Sequence, residues 1–419
     1  MEKFRQEGRT SMRYTIAFVR WMLTAVFIGM LCGAVGALFA MAVEWATETR
    51  TAHGWLLYLL PLGGLCIAGL YRLLRLPLSV GTDEIITTVR TQGRVPVQMA
   101  PAIFLSTTLT HLLGGSAGRE GAALQLGGSI GAAVGDLTHP KEDSRRIFEL
   151  CGMAALFSAL FGTPLTAAIF VLEIIEVGRL NYRALLPCVA SAVTAQLTAR
   201  AMGAPLDSFP LAAGLQAMTP LSVVQAAGLG VACALTAILF CVAMHIASRS
   251  LRRLIPNNYL RVLAGGAAVI LLTLVLGTRD YNGGGMGVIE RALAGQAFPA
   301  AFLLKIVMTA ITLGSGYKGG EIVPAMFIGA TAGCVLGDLF GLSPGLGAAV
   351  GLLGMFCGSL NCPISAIFLG VEMFGGANIQ YYAIAAAISF MLSANFGLYK
   401  EQKIVYSKIR AEFINRYTD

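Results

Sequence analysis

The chain has 419 residues, of which 56% are hydrophobic and 12% charged, with a mean hydropathy of +0.73; that charge content is about half that of a soluble domain. These totals exclude a soluble catalytic or nucleic-acid-binding domain and indicate one integral membrane unit that crosses the bilayer many times. The formal charge of +8 does not change this, because much of the excess sits at the two ends.

Lys3, Arg5, Arg9 and Arg13 form a short segment, residues 1–13, ahead of the first apolar run. By the positive-inside tendency it is cytoplasmic. The run that follows, from about Tyr14 to Val43, is too long for the core of a cleavable signal peptide. Further segments are predicted at 55–76, 98–113, 122–137, 147–160, 164–176, 182–202, 219–248, 259–277, 298–313, 322–340, 345–360, 363–374 and 379–397, then a mixed helix over about 400–417. Lys400, Lys403, Lys408, Arg410 and Arg416 place this end in the cytoplasm as well. Many segments fall short of the ~20 residues a full crossing needs. Such half-helices are tolerated where protein or a polar cavity surrounds their ends.

The nine cysteines lie in apolar stretches without a CxxC pair, and the four histidines show no metal-ligating spacing. They read as packing residues, so neither disulfides nor a bound metal or other cofactor is expected. His111, Asp136 and Asp338 read as helix-end or packing residues, and so do Glu173 and Glu372, with a structural duty in the repeat described next.

The chain repeats itself. Glu120 is followed fifteen residues later by Gly135-Asp136-Leu137, and Glu321 sixteen residues later by Gly337-Asp338-Leu339. Gly152-Met153 leads to Pro164 and Glu173, as Gly354-Met355 leads to Pro363 and Glu372, with nine residues from Pro to Glu in both copies. Two halves, 14–203 and 204–397, describe a transporter built from a repeat, with its site where broken helices meet near the bilayer midplane. An odd number of crossings per half would invert the repeat.

Three glycine-bounded helix starts are candidates for that site: Gly81-Thr82-Asp83-Glu84, Gly118-Arg119-Glu120-Gly121 and Gly319-Gly320-Glu321-Ile322-Val323-Pro324. Each leaves backbone N–H groups unpaired at the positive end of a helix dipole, so together they can cradle an anion. The plainer reading of each glycine is helix packing or a turn. Glu120 can occupy the anion position when ionised and leave it when protonated, exchanging a proton for an anion; the plainer reading is a capping carboxylate. Arg119 is assigned to the same stretch, where it satisfies local carbonyls.

These residues resemble the CLC family of chloride channels and anion/proton antiporters. Gly118 to Gly121 is similar to its GREGP element with Ala122 in place of proline, Gly320 to Pro324 to its GxFxP element, and Tyr406 to the tyrosine of its last helix; the resemblance spans about 14–417. Thr82 stands where the family has an anion-binding serine, Ile322 where it has phenylalanine, and Ile174 at the inner proton glutamate, with Glu176 nearby. Glu321 replaces an apolar residue. With the short chain, these departures resemble the bacterial fluoride/proton antiporter branch.

The resemblance implies an all-α polytopic fold with an inverted repeat and a homodimer with one pathway per subunit, residing among the lipids of the inner membrane. It implies export of fluoride in exchange for protons. Glu120 and Glu321 would transfer protons. Gly81, Thr82, Gly118, Arg119, Gly121, Gly320, Ile322, Val323 and Tyr406 would line the anion path, with a C-terminal pore-lining helix over 398–419. Chloride/proton exchange and a passive anion channel are the nearest alternatives. An intramembrane enzyme is disfavoured because no nucleophile–base pair is present.

Overall fold

The computed structural model describes residues 2–91, 93, 95–138, 142–205 and 217–419. Its first helix, α1 (Glu2–Ala52), is 51 residues long and therefore about 77 Å from end to end, far more than a membrane needs. α2 (Leu60–Leu73), α3 (Thr82–Thr91) and α4 (Met99–Leu112) follow. α5 (Glu120–Thr138), α6 (Glu142–Phe161), α7 (Pro164–Glu173) and α8 (Tyr182–Ala201) complete the first half. The second half contains α9 (Pro220–Leu254), α10 (Asn258–Leu276), α11 (Met286–Leu293), α12 (Ala301–Ser315), α13 (Ile322–Leu339), α14 (Pro344–Leu360), α15 (Pro363–Phe374) and α16 (Ile379–Leu392). Among the described residues, five helical spans are apolar and long enough to cross a bilayer, while α7, α12, α14 and α15 are apolar but shorter.

The repeat is visible in how these helices pack. α5 lies on α6 with Gly127 and Gly131 against the backbone of Gly152 and Phe148, and α13 lies on α14 with Gly329 and Gly333 against Gly351 and Gly347. A methyl group at Gly329 would stand 2.5 Å from the Gly351 carbonyl oxygen. These small residues permit backbone-to-backbone approach, which is how helices associate where lipid offers no hydrophobic contrast.

The short helices α7 and α15 begin with proline at their first position, yet neither Thr163 nor Cys362 caps its helix through a side chain. Each helix is capped instead by the glutamate that ends the other. Glu173 Oε1 accepts the Ile364 N–H at 3.1 Å and its Oε2 accepts the Ser365 N–H at 2.8 Å and the Ser365 hydroxyl. Glu372 Oε1 accepts the Leu165 N–H at 3.0 Å, and its Oε2 accepts the Thr166 N–H at 2.8 Å and the Thr166 hydroxyl at 2.6 Å. A carboxylate facing a helix N-terminus satisfies orphan donors and complements the dipole. The two glutamates thereby lock the halves together.

The predicted helix over 400–417 is absent. The chain there forms β2 (Lys403–Tyr406) and β3 (Phe413–Tyr417), paired antiparallel, with β1 (Glu176–Val177) parallel to β2. Ile404, Val405 and the aromatic Phe413 and Tyr417 favour a pleated, half-buried surface over a helix. The two residues of β1 supply the third strand.

Candidate functional site

The three glycine-bounded starts meet in the middle of the molecule, at the heads of α3, α5 and α13. Gly118 and Gly320 form an isolated antiparallel bridge: the Gly118 N–H donates to the Gly320 carbonyl at 2.8 Å and the Gly320 N–H to the Gly118 carbonyl at 2.7 Å. These two N–H groups are thus committed to each other, contrary to the expectation that they hold an anion. The donors left facing the site belong to the first turns of α5 and α13, which helix geometry deprives of carbonyl partners. Within the first turn of α13, Pro324 has no N–H to offer.

Gly121 is where the starts come closest. A methyl group there would lie 2.9 Å from Glu321 Oε2, 2.9 Å from the Gly320 Cα and 3.5 Å from the Thr82 hydroxyl. Glycine is needed because no side chain fits among them. The Thr82 hydroxyl donates to the Gly121 carbonyl at 3.3 Å and accepts from Gln125 Nε2 at 3.2 Å. Glu321, at the N-terminal end of α13, accepts from the Tyr399 hydroxyl at 3.4 Å. Gly81, Thr82, Gln125, Glu321 and Tyr399 all line one cavity of about 220 Å3, which also reaches Arg252, Lys318 and Lys400.

Glu120 faces the other way. It is 1% exposed, its Oε2 accepts the Arg119 N–H at 2.9 Å, and its Oε1 lies 3.7 Å from Arg119 Nε. Gly118, Arg119, Glu120 and Val323 line a second cavity of about 640 Å3 that extends to Glu48, Arg50, Arg279 and Asp280. The Gly118–Gly320 bridge stands between the two cavities, with one glutamate on each side. Ile322, expected on the anion path, is fully buried and lines neither cavity.

A family model for voltage-gated chloride channels matches residues 63–394. The chain belongs to that family, the CLC proteins. A chloride/fluoride channel protein of Pseudomonas syringae pv. tomato is 33% identical over 97% of this chain and 91% of its own length. An H(+)/Cl(-) exchange transporter of Vibrio campbellii is 26% identical over 94% of this chain and 88% of its own. Among solved structures, a CLC-type fluoride/proton antiporter superposes with a TM-score of 0.88 at 31% identity, covering 92% of this chain and 98% of that one. Membership makes this chain a multi-pass membrane transport protein and not an enzyme.

Within this CLC fold, most of the residues singled out from sequence converge: Gly81, Thr82, Gly121, Gly320 and Glu321 on one side, Gly118, Arg119, Glu120 and Val323 on the other. Tyr406 does not join them. It is 51% exposed on β2, and its ring meets Phe413 edge-on at 5.7 Å. Tyr399, which is 3% exposed, holds the central position instead. The expected pore-lining position of Tyr406 depends on a helix over this segment, and the strand pairing of β2 with β3 turns its side chain outward. Gln125 and Lys318 were also missed. Lys318 was detectable in principle, as an ammonium beside a Gly-Gly break at membrane depth. At the position equivalent to an inner proton glutamate, Ile174 is fully buried, while Glu176 pairs with Lys403 in the sheet.

Proposed function

We propose that this protein exports fluoride in exchange for protons, with Glu120 and Glu321 as its two proton-carrying groups. The observation that carries the proposal is the placement of one carboxylate on each side of the Gly118–Gly320 bridge. Protonated at Glu120, the start of α5 is open to an anion; ionised, the carboxylate competes for the same N–H groups. Glu321, with Tyr399 and Thr82, supplies a second stop for the proton where the chain has no inner glutamate.

Fluoride is small and strongly hydrated, so its water has to be replaced by compact donors. Backbone N–H groups at the heads of α5 and α13 and the Thr82 and Tyr399 hydroxyls are of that kind. The similarity to the Pseudomonas chloride/fluoride channel protein and to the superposing fluoride/proton antiporter supports fluoride. Chloride exchange, the activity of the Vibrio H(+)/Cl(-) exchange transporter, is the competing reading.

The Glu321 cavity opens beside Lys400, and the Glu120 cavity beside the C-terminal end of α1. With both basic termini cytoplasmic, the Glu321 side faces the cytoplasm of a cell whose inner membrane holds the protein. The working unit in this proposal is a homodimer with a separate pathway in each chain. Purified protein in liposomes is the test. Fluoride is expected to leave faster than chloride and to move uphill only while a proton gradient persists. Chloride moving as fast as fluoride refutes the selectivity, and uphill movement that survives a protonophore refutes the coupling.

A further inference from the structure

Lys318 is buried, 8% exposed, and its ammonium is held in a defined grip. Nζ donates to the Leu78 carbonyl at 2.8 Å and the Val80 carbonyl at 2.5 Å, and lies 4.4 Å from the centre of the Tyr71 ring. Leu78 and Val80 immediately precede Gly81-Thr82, the head of α3, and Lys318 itself immediately precedes Gly319-Gly320, the approach to α13. One side chain therefore ties the entry of α3 to the entry of α13, and the Gly118–Gly320 bridge ties α13 to α5. No backbone hydrogen bond joins residues 77–84 to 316–322 among the described residues; the Lys318 grip ties these two entries directly, beside the indirect ties that Thr82 makes to Gly121 of α5 and Tyr399 makes to Glu321.

The geometry points to Lys318 as the positioning residue that fixes Thr82 against the other two helix starts and so sets which halide the site accepts. This rests on the transport reading above. A compact anion is distinguished from a larger one by how closely donors on separate elements can approach it. Thr82 belongs to α3, whereas Glu321 belongs to the start of α13, so their spacing depends on the ties between those elements: the hydroxyl of Thr82 is held by Gly121 and Gln125 of α5, and the backbone that leads into Thr82 is seated by Lys318. Burying an ammonium is costly unless its protons are satisfied. Two carbonyls and an aromatic face meet that cost here, and give the loop one preferred seat.

Lys305 supplies an internal comparison. Its Nζ grips the Tyr281 carbonyl at 3.2 Å and the Gly283 carbonyl at 2.6 Å, 5.0 Å from the Phe327 ring. The chemistry is the same, but the loop it holds does not lead to Thr82.

The experiment measures halide binding by calorimetry and efflux from liposomes for wild type, K318M, K318Q and K305M, with folding followed by size exclusion and thermal unfolding. Methionine removes both donors and the charge; glutamine keeps two amide protons for the carbonyls. For K318M we expect the fluoride-to-chloride affinity ratio to fall at least tenfold relative to wild type, with maximal efflux changed less. K318Q is expected to recover most of the ratio and K305M to keep it while melting earlier. A K318M ratio equal to that of wild type overturns the assignment, as does an equal loss in K305M. If K318M does not fold, K318Q decides alone, and a collapsed ratio in that variant overturns positioning in favour of bare charge. A wild type that prefers chloride refutes fluoride as the substrate, yet the change of ratio on substitution still tests Lys318.

Discussion

Adding a single methyl group at Gly320 tests whether the bridge organises the site. On the observed backbone, a Cβ at Gly320 collides with the Gly121 nitrogen and lies 3.0 Å from the Glu120 nitrogen and 3.1 Å from the Gly121 Cα. All three are main-chain atoms at the head of α5, so no side chain can rotate out of the way. Gly320 is not among the residues with positive φ, which makes the penalty steric and not conformational. Relief requires the starts of α5 and α13 to part. Parting breaks two hydrogen bonds of 2.7 and 2.8 Å, each worth about 1 kcal/mol net and more if its buried groups stay unpaired. Overpacking adds about 1–3 kcal/mol. The expected loss for Gly320→Ala is therefore about 3–5 kcal/mol, and the halide site is expected to lose affinity because its donors move apart. Thermal unfolding in detergent and fluoride efflux measure the two effects. Gly69→Ala is the matched control: no atom would lie within 4 Å of its new methyl group, and in the middle of α2 it should stabilise by up to about 1 kcal/mol. A Gly320→Ala protein that melts with wild type and still transports would refute the bridge as an organising contact.

Three other outcomes follow from named contacts. Glu120→Gln should abolish proton coupling, since an amide neither carries the proton nor competes as an anion; proton-driven fluoride transport retained in that variant would contradict the central role of Glu120. Tyr399→Phe removes the hydroxyl that reaches Glu321 and should raise half-saturating fluoride several-fold, whereas Tyr406→Phe on the exposed sheet should match wild type; the reverse order would restore the sequence-based assignment. Glu173→Gln leaves one acceptor where two oxygens serve three donors. It should lower stability by about 2–3 kcal/mol, because hydrogen bonds to a charged group are each worth about 1.5–3 kcal/mol. Thermal unfolding is the readout, and an unchanged midpoint would mean that the cap contributes nothing.

What could be read from the sequence was whatever is encoded locally or by repetition. Glycine at a helix start, proline at a first helical position and the Pro-to-Glu spacing of nine residues in both copies all leave local marks, and they located α5, α7, α13 and α15 together with both glutamates at the bridge. Contacts between distant segments leave no such mark. Glu173 and Glu372 were recognised as structural, but nothing in either copy says that each caps the helix of the other. The commitment of the Gly118 and Gly320 N–H groups to one another is likewise a pairing across about 200 residues, and single-residue reasoning counted both as free donors. The C-terminal error is of another kind: Val405, Ile409, Phe413 and Tyr417 recur every four residues among lysines and arginines, which resembles an amphipathic helix until β1 is known to be available as a partner.

In the proposed exchange, the bridge is a physical reason for two proton-carrying carboxylates in place of one. A single acid at the head of α5 has to meet protons from both cavities, yet the route between them is closed by paired backbone with no titratable group. Glu321 lies beyond that closure, and its Oε2 would stand 2.9 Å from a methyl group at Gly121, next to Glu120 in the chain. The two acids belong to opposite halves of the repeat and line opposite cavities, so in the proposed exchange a proton passes between them only when one carboxylate turns past the bridge. An anion at the first turns of α5 and α13 sits between those same acids. Occupancy by the anion and ionisation of either acid are then mutually unfavourable through Coulomb repulsion, which is strong at such short range away from water. That repulsion alone favours proton and anion together; the proposed exchange requires in addition that the ionised Glu120 carboxylate take the anion's place at the head of α5.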